Sequence, residues 1–102
     1  MFGLPEQTLL LLKNYFSSQP EIRKVLIYGS RAMGKEKPGS DIDLAIFTSS
    51  DQDLSGKILA DLEELPTPYL FDVVDYNQIT HPPLREHIDR VGKVLFEKGQ
   101  NP

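Results

Sequence analysis

Cysteine is absent from the 102 residues, which removes disulfides, thiolate metal sites and a cysteine nucleophile together. The fold must therefore rest on packing alone. Long apolar runs are also missing: the run at residues 9–12 is far shorter than the roughly 20 residues of a membrane span. No basic segment precedes it and no small-residue cleavage site follows, so a signal peptide is not expected. Nor is there an excess of positive charge. Lys plus Arg number 11 against 15 Asp plus Glu, a net charge of −4, which argues against general nucleic-acid binding or membrane binding through a broad basic field. A cytoplasmic protein is the expectation. What is present is ordinary for a globular chain: 39% hydrophobic and 25% charged residues. The length suits one domain, expected to span residues 1–102.

Patterning predicts alternating helices and strands. Leu9, Leu12 and Phe16 recur at helical spacing over residues 4–18, with Pro5 at a plausible first helical position. A β-rich run at 25–28 ends at Gly29 and reads as a buried strand; a second strand is expected at 41–47. A helix over 57–65, with Ile58, Leu62 and Leu65 inward, stops at Pro66 and Pro68. A third strand at 70–76, a short helix at 84–90 and a last strand at 94–96 complete the chain, with a frayed tail at 99–102. The first two strands are joined by too little chain for a helical crossover, so they should be antiparallel. The fold class that follows is α/β, with a small mixed β-sheet and helices.

Two features carry chemistry. Asp41 and Asp43 lie two apart on a strand, so their side chains leave the same face. Both can reach one divalent cation, and oxygen ligands suit Mg²⁺ or Mn²⁺. Alone, such a pair is common on solvent-facing strands. Upstream, however, Gly29-Ser30 closes the first strand, where a hydroxyl and unpaired backbone N–H groups can hold phosphate oxygens. Residues 29–39 also carry Arg31, Lys35 and Lys37 against Glu36, a modest positive patch within an acidic chain. Phosphate and metal would share one pocket. Gly29, Gly34 and Lys35 also match G-x-x-x-x-G-K, but a P-loop needs Ser or Thr next, and Glu36 stands there.

The runs Gly29-Ser30-Arg31-Ala32-Met33-Gly34, Ser40-Asp41-Ile42-Asp43-Leu44 and Phe71-Asp72-Val73-Val74-Asp75 resemble the minimal nucleotidyltransferases (MNT) of the DNA polymerase β superfamily. More narrowly, they are similar to the MNT antitoxins encoded beside a helical HEPN toxin. The resemblance covers residues 25–79, and the Gly-Ser to Asp-x-Asp spacing with a downstream strand aspartate is its specific part.

It implies a nucleotidyltransferase core in which Gly29, Ser30 and Arg31 bind the nucleoside triphosphate and Asp41, Asp43 and Asp72 ligate the metal ions. Asp72 would also help to deprotonate the acceptor hydroxyl. Periodicity alone does not choose between Asp72 and Asp75; the family pattern selects Asp72, and Asp75 is odd-spaced from it and would face the other way. Met33 stands where many relatives carry a second arginine. The implied reaction moves AMP from ATP to a hydroxyl, with a tyrosine of a HEPN partner as acceptor, in a homodimer or a mixed complex. The competing expectation is a non-catalytic module that neutralises its partner by occlusion. Leu10 or Leu11 would be spare apolar surface for a partner. His81 and His87 read as exposed loop and helix positions, Glu63 and Glu64 as a solvated helix face, and Tyr69, Phe71 and Tyr76 as packing around the third strand.

Overall fold

The computed structural model describes residues 1–99. Helix α1 (Glu6–Ser17) leads into strand β1 (Ile22–Tyr28), then β2 (Ile42–Thr48), α2 (Ser55–Glu63), β3 (Phe71–Asp75), a 3₁₀ turn (Tyr76–Gln78), α3 (Pro82–Val91) and β4 (Lys93–Glu97). The sheet order is β3-β2-β1-β4. β1 pairs antiparallel with both β2 and β4, and β2 pairs parallel with β3 across the α2 connection. The expected mixed sheet and antiparallel first pair are both found. The frayed tail expected from residue 99 onward lies, from residue 100, outside the described residues.

Strand parity builds two cores. Even-numbered β2 residues Ile42, Leu44 and Ile46 join Val25, Ile27 and Val73 under α1 and α2, where Leu9, Leu12, Phe16, Ile58 and Leu62 are buried. On the opposite face Tyr28 and Ala45 pack with Ile88 of α3. Each face burial is worth about 1.5–3 kcal/mol per large apolar side chain, so register is strongly specified: a one-residue slip of β2 would bury Asp43 and expose Ile42.

Boundaries shift for local reasons. Pro5 is the residue before α1 rather than its first member. α3 starts two residues earlier than expected because proline is tolerated at the first helical positions, and Pro82 and Pro83 both occupy them. β3 stops at Asp75 because its carboxylate accepts the Asn77 N–H at 3.3 Å and turns the chain into the 3₁₀ turn. β1 begins at Ile22, earlier than its apolar run, through an irregular pairing with β2.

Candidate active site

At one end of the sheet, on the α3 face, three strands bring a row of side chains together. Tyr28 is the register partner of Asp43, and Asp43 is the register partner of Asp72. Adjacent strands lie about 4.7–4.9 Å apart, so the two carboxylates are neighbours. Asp41 precedes β2 by one residue and acts on Asp43 as a like charge. Asp72 and Asp41 are exposed; Asp43 is half-buried. Burial, then the charges of Asp72 and Asp41, push the Asp43 carboxyl above the usual carboxylate range, against the milder pull of His87 and Arg31. The Tyr28 phenol is pushed up by burial and by the Asp72 and Asp43 charges. It stays a neutral donor at physiological pH.

Gly29 shows why a glycine ends β1. Its φ is +73°, and a Cβ there would collide with the Asp43 carboxylate oxygen Oδ2. The missing side chain leaves room beside that carboxylate. Beyond it the chain tightens through Met33 N–H to Gly29 C=O (3.2 Å) and Lys35 N–H to Ser30 C=O (2.8 Å). Among the described residues, the N–H groups of Ser30, Arg31 and Ala32 donate to no backbone carbonyl, and successive free N–H groups of this kind make a concavity for an anion.

Asp75 separates cleanly from Asp72. It is 3% exposed on the opposite face, where its carboxylate accepts from Leu54 N–H and Asn77 N–H, both at 3.3 Å. Strand alternation therefore turns Asp75 away from Asp72.

Arg31 behaves differently from the expectation of a direct triphosphate contact. It is 4% exposed, and its guanidinium donates to the carbonyls of Phe2, Gly3 and Ser40. The surrounding chain has already taken up four of its five N–H donors. His87 also corrects an expectation: it is half-buried, not exposed, and its ring meets the Tyr28 ring edge-on at 6.1 Å. Its signal was available, since Leu84, His87, Ile88 and Val91 share one helical face. Tyr69 lies under the Arg31 guanidinium at 5.2 Å, and Tyr76 stacks on Phe47 at 4.4 Å, so neither ring is an open platform. Leu10 is the more exposed of the two spare leucines, at 54%.

Among the described residues, no three His, Cys, Asp or Glu side chains are already closed around one point. The donor set nevertheless suits a hard divalent cation: oxygen ligands only, mutually repelling carboxylates, and one of them pushed above the usual carboxylate range by burial and by its like-charged neighbours. A cleft of about 940 Å³ lies at the β4 edge, lined by Phe2, Met33, Lys35, Arg90, Lys93 and Val94. Asp43 and Asp72 do not line it, and the loop carrying Arg31 to Glu36 forms one wall.

The polymerase β nucleotidyltransferase family model matches residues 11–101, and the chain belongs to that family. A comparison with curated protein sequences gives no match. Among solved structures, it is similar to a chain of a toxin–antitoxin complex with AMP-PNP, at TM-score 0.64 and 20% identity over 94% of this chain and 77% of that one. It is also similar to a chain of the MntA–HepT toxin–antitoxin complex, at TM-score 0.57 and 20% identity over 91% and 74%. A third likeness is to a chain of the Shewanella oneidensis complex of a tri-AMPylated HEPN toxin with its MNT antitoxin, at TM-score 0.57 and 21% identity over 96% and 74%. At these identities the solved structures establish the shared fold. No helix among the described residues is long and apolar enough to cross a membrane.

Proposed function

We propose that this chain is a single-domain nucleotidyltransferase that moves AMP from ATP to a tyrosine hydroxyl of a HEPN partner in the cytoplasm, and so acts as an antitoxin. The observation that carries the reading is the pairing of Asp43 with Asp72 in one cross-strand row beside the side-chain-free Gly29. Family membership supports the reaction class. The solved complexes, one with AMP-PNP and one with a tri-AMPylated HEPN toxin, support the nucleotide and the acceptor.

Asp41, Asp43 and Asp72 would hold Mg²⁺, with Mn²⁺ as a substitute. Divalent cations in such a site supply stabilisation of the attacking and leaving oxygens of an in-line displacement. Gly29 and Ser30 receive the triphosphate: the glycine by offering no Cβ, the serine by its hydroxyl and N–H. Tyr28 closes the row as a neutral hydrogen-bond donor, its ring steadied by His87. The acceptor oxygen forms the new bond to the α-phosphorus, the bond to the departing pyrophosphate breaks, and the hydroxyl proton passes to the Asp72 carboxylate.

The test is incubation with the HEPN partner, Mg²⁺ and labelled ATP, beside an Asp41→Asn/Asp43→Asn double variant. Label and an AMP mass increment on the partner with wild type alone are expected. Absence of label, with neutralisation that survives in the double variant, would replace transfer by occlusion.

A further inference from the structure

Arg31 sits where four pieces of chain meet. Its Nη2 and Nε donate to the Ser40 carbonyl at 2.8 and 3.3 Å, and its Nη1 donates to the Phe2 and Gly3 carbonyls at 3.1 and 3.3 Å. The guanidinium lies over the ring of Tyr69, just before β3. Its own backbone follows Ser30 directly. Ser40 itself is held a second time through other groups by a turn, Ser40 N–H to Lys37 C=O at 2.9 Å and Lys37 N–H to the Ser40 hydroxyl at 2.8 Å. Phe2 and Gly3 both take left-handed backbone conformations, φ 59° and 68°. In Phe2, which has a Cβ, that conformation is uncommon and needs support from its surroundings. Here the two carbonyls converge on one guanidinium nitrogen.

We infer that Arg31 is a positioning residue: it clamps the Ser40–Asp41 peptide to the Ser30 loop and the chain start, fixing the metal carboxylates relative to the phosphate cradle rather than touching the triphosphate. The inference rests on the transferase reading for its consequence, although the clamp itself does not. Only a planar fork with donors on both edges reaches acceptors on opposite sides. A lysine keeps the charge and loses the fork. Arg31→Lys therefore separates the two roles, because a charge contact with phosphate would largely survive it and a clamp would not.

The experiment measures Arg31→Lys against wild type in three ways. In the transfer assay the clamp lowers kcat about tenfold or more, since small misplacement of reacting groups is costly, and leaves KM for ATP within about twofold. The Mn²⁺ concentration giving half-maximal rate rises about tenfold, and added Mn²⁺ restores part of the loss. A raised KM with unchanged kcat, or wild-type behaviour, overturns the inference. In the absence of nucleotide, amide hydrogen exchange over residues 40–43 accelerates in the variant, and Mn²⁺ titration by electron paramagnetic resonance shows weaker binding; unchanged exchange and binding also overturn it. Should wild type bind Mn²⁺ through Asp41 and Asp43 yet transfer no label, the transferase reading has failed while these last two measurements still judge Arg31. Should the variant not fold, the Arg31 Nε–H proton resonance of wild type decides. Slow exchange in the free protein, undisturbed by ATP, supports the clamp, and protection that appears only with ATP overturns it.

Discussion

Two tyrosine–aspartate groupings, one between α1 and α2 and one across β1, β2 and β3, start from the same side chains and reach opposite states. Tyr15 donates its hydroxyl to Asp61 at 2.5 Å, and Lys57 donates to the same oxygen at 2.9 Å. The Asp61 carboxyl is held below its usual range by the Tyr15 hydrogen bond first and then by Lys57. On the other face Tyr28 stands beside Asp43 and Asp72, and Asp43 is pushed up by burial and by its like-charged neighbours. The first carboxylate has its donors; the second is left with its charge uncompensated. A fold tolerates the second kind of arrangement at a cost, and the proposed function puts these strand carboxylates to use in holding a divalent cation. The same contrast repeats within β3, where Asp75 is buried and bonded while Asp72, three residues earlier, is exposed.

Substitution should break the contrast from both sides. The largest effect is expected for Asp43→Asn: transfer falls by more than about a hundredfold, the upper end for outer partners of metal ligands, while the melting temperature holds or rises because a repelling charge has gone. A melt that falls by several degrees would make Asp43 a structural residue. Asp75→Ala should do the reverse, costing about 2–3 kcal/mol of stability in urea unfolding by leaving the Leu54 and Asn77 N–H groups unmet, with the residual folded protein still able to bind Mn²⁺.

pH sharpens the comparison because the two shifts have opposite signs. Asp43 has a raised folded pKa, so its contribution to stability is present at acid pH and is lost as pH rises through that value. Asp61 has a depressed folded pKa, so its contribution is present above the ordinary carboxylate value and is lost as pH falls through the folded one. Since cation binding needs the charged carboxylate, Mn²⁺ affinity should begin to fall, on acidification, above the ordinary carboxylate range, and calorimetric titration across pH 4 to 7 checks this. The smallest effect is that of Asp61→Asn. Its ion pair with Lys57 is half-exposed and asparagine can still accept the Tyr15 hydrogen bond, so the loss should stay below about 1 kcal/mol, with no change in Mn²⁺ binding; a change there would mean that the two faces communicate.

Much of the site was legible before folding because it is written in short-range geometry. Strand alternation sets Asp43 apart from the buried Ile42 and Leu44, Gly29-Ser30 ends an apolar run, and parity assigns Asp72 and Asp75 to different faces, in agreement with the register and burial of β2 and β3; Asp41 falls one residue before β2, where alternation does not fix its direction. Arg31 was not legible in the same way. Its acceptors are backbone carbonyls, at Phe2 and Gly3 from the far end of the chain and at Ser40 across a loop, and a carbonyl carries no residue-specific signature. His87 was half legible: helical spacing put it beside Ile88, but only docking of α3 on the sheet brought its ring to Tyr28.

Local pattern thus determined the elements, the order of buried and exposed positions and the identity of the acidic residues, since these follow from spacings of two and of three to four along the backbone. The tertiary structure alone decided which strands became neighbours, which carboxylate lacked a donor and which cation was consumed by carbonyls. Those outcomes depend on contacts between segments far apart in the chain, whose distances are set when the two faces of the sheet are covered and not by any residue's local preference.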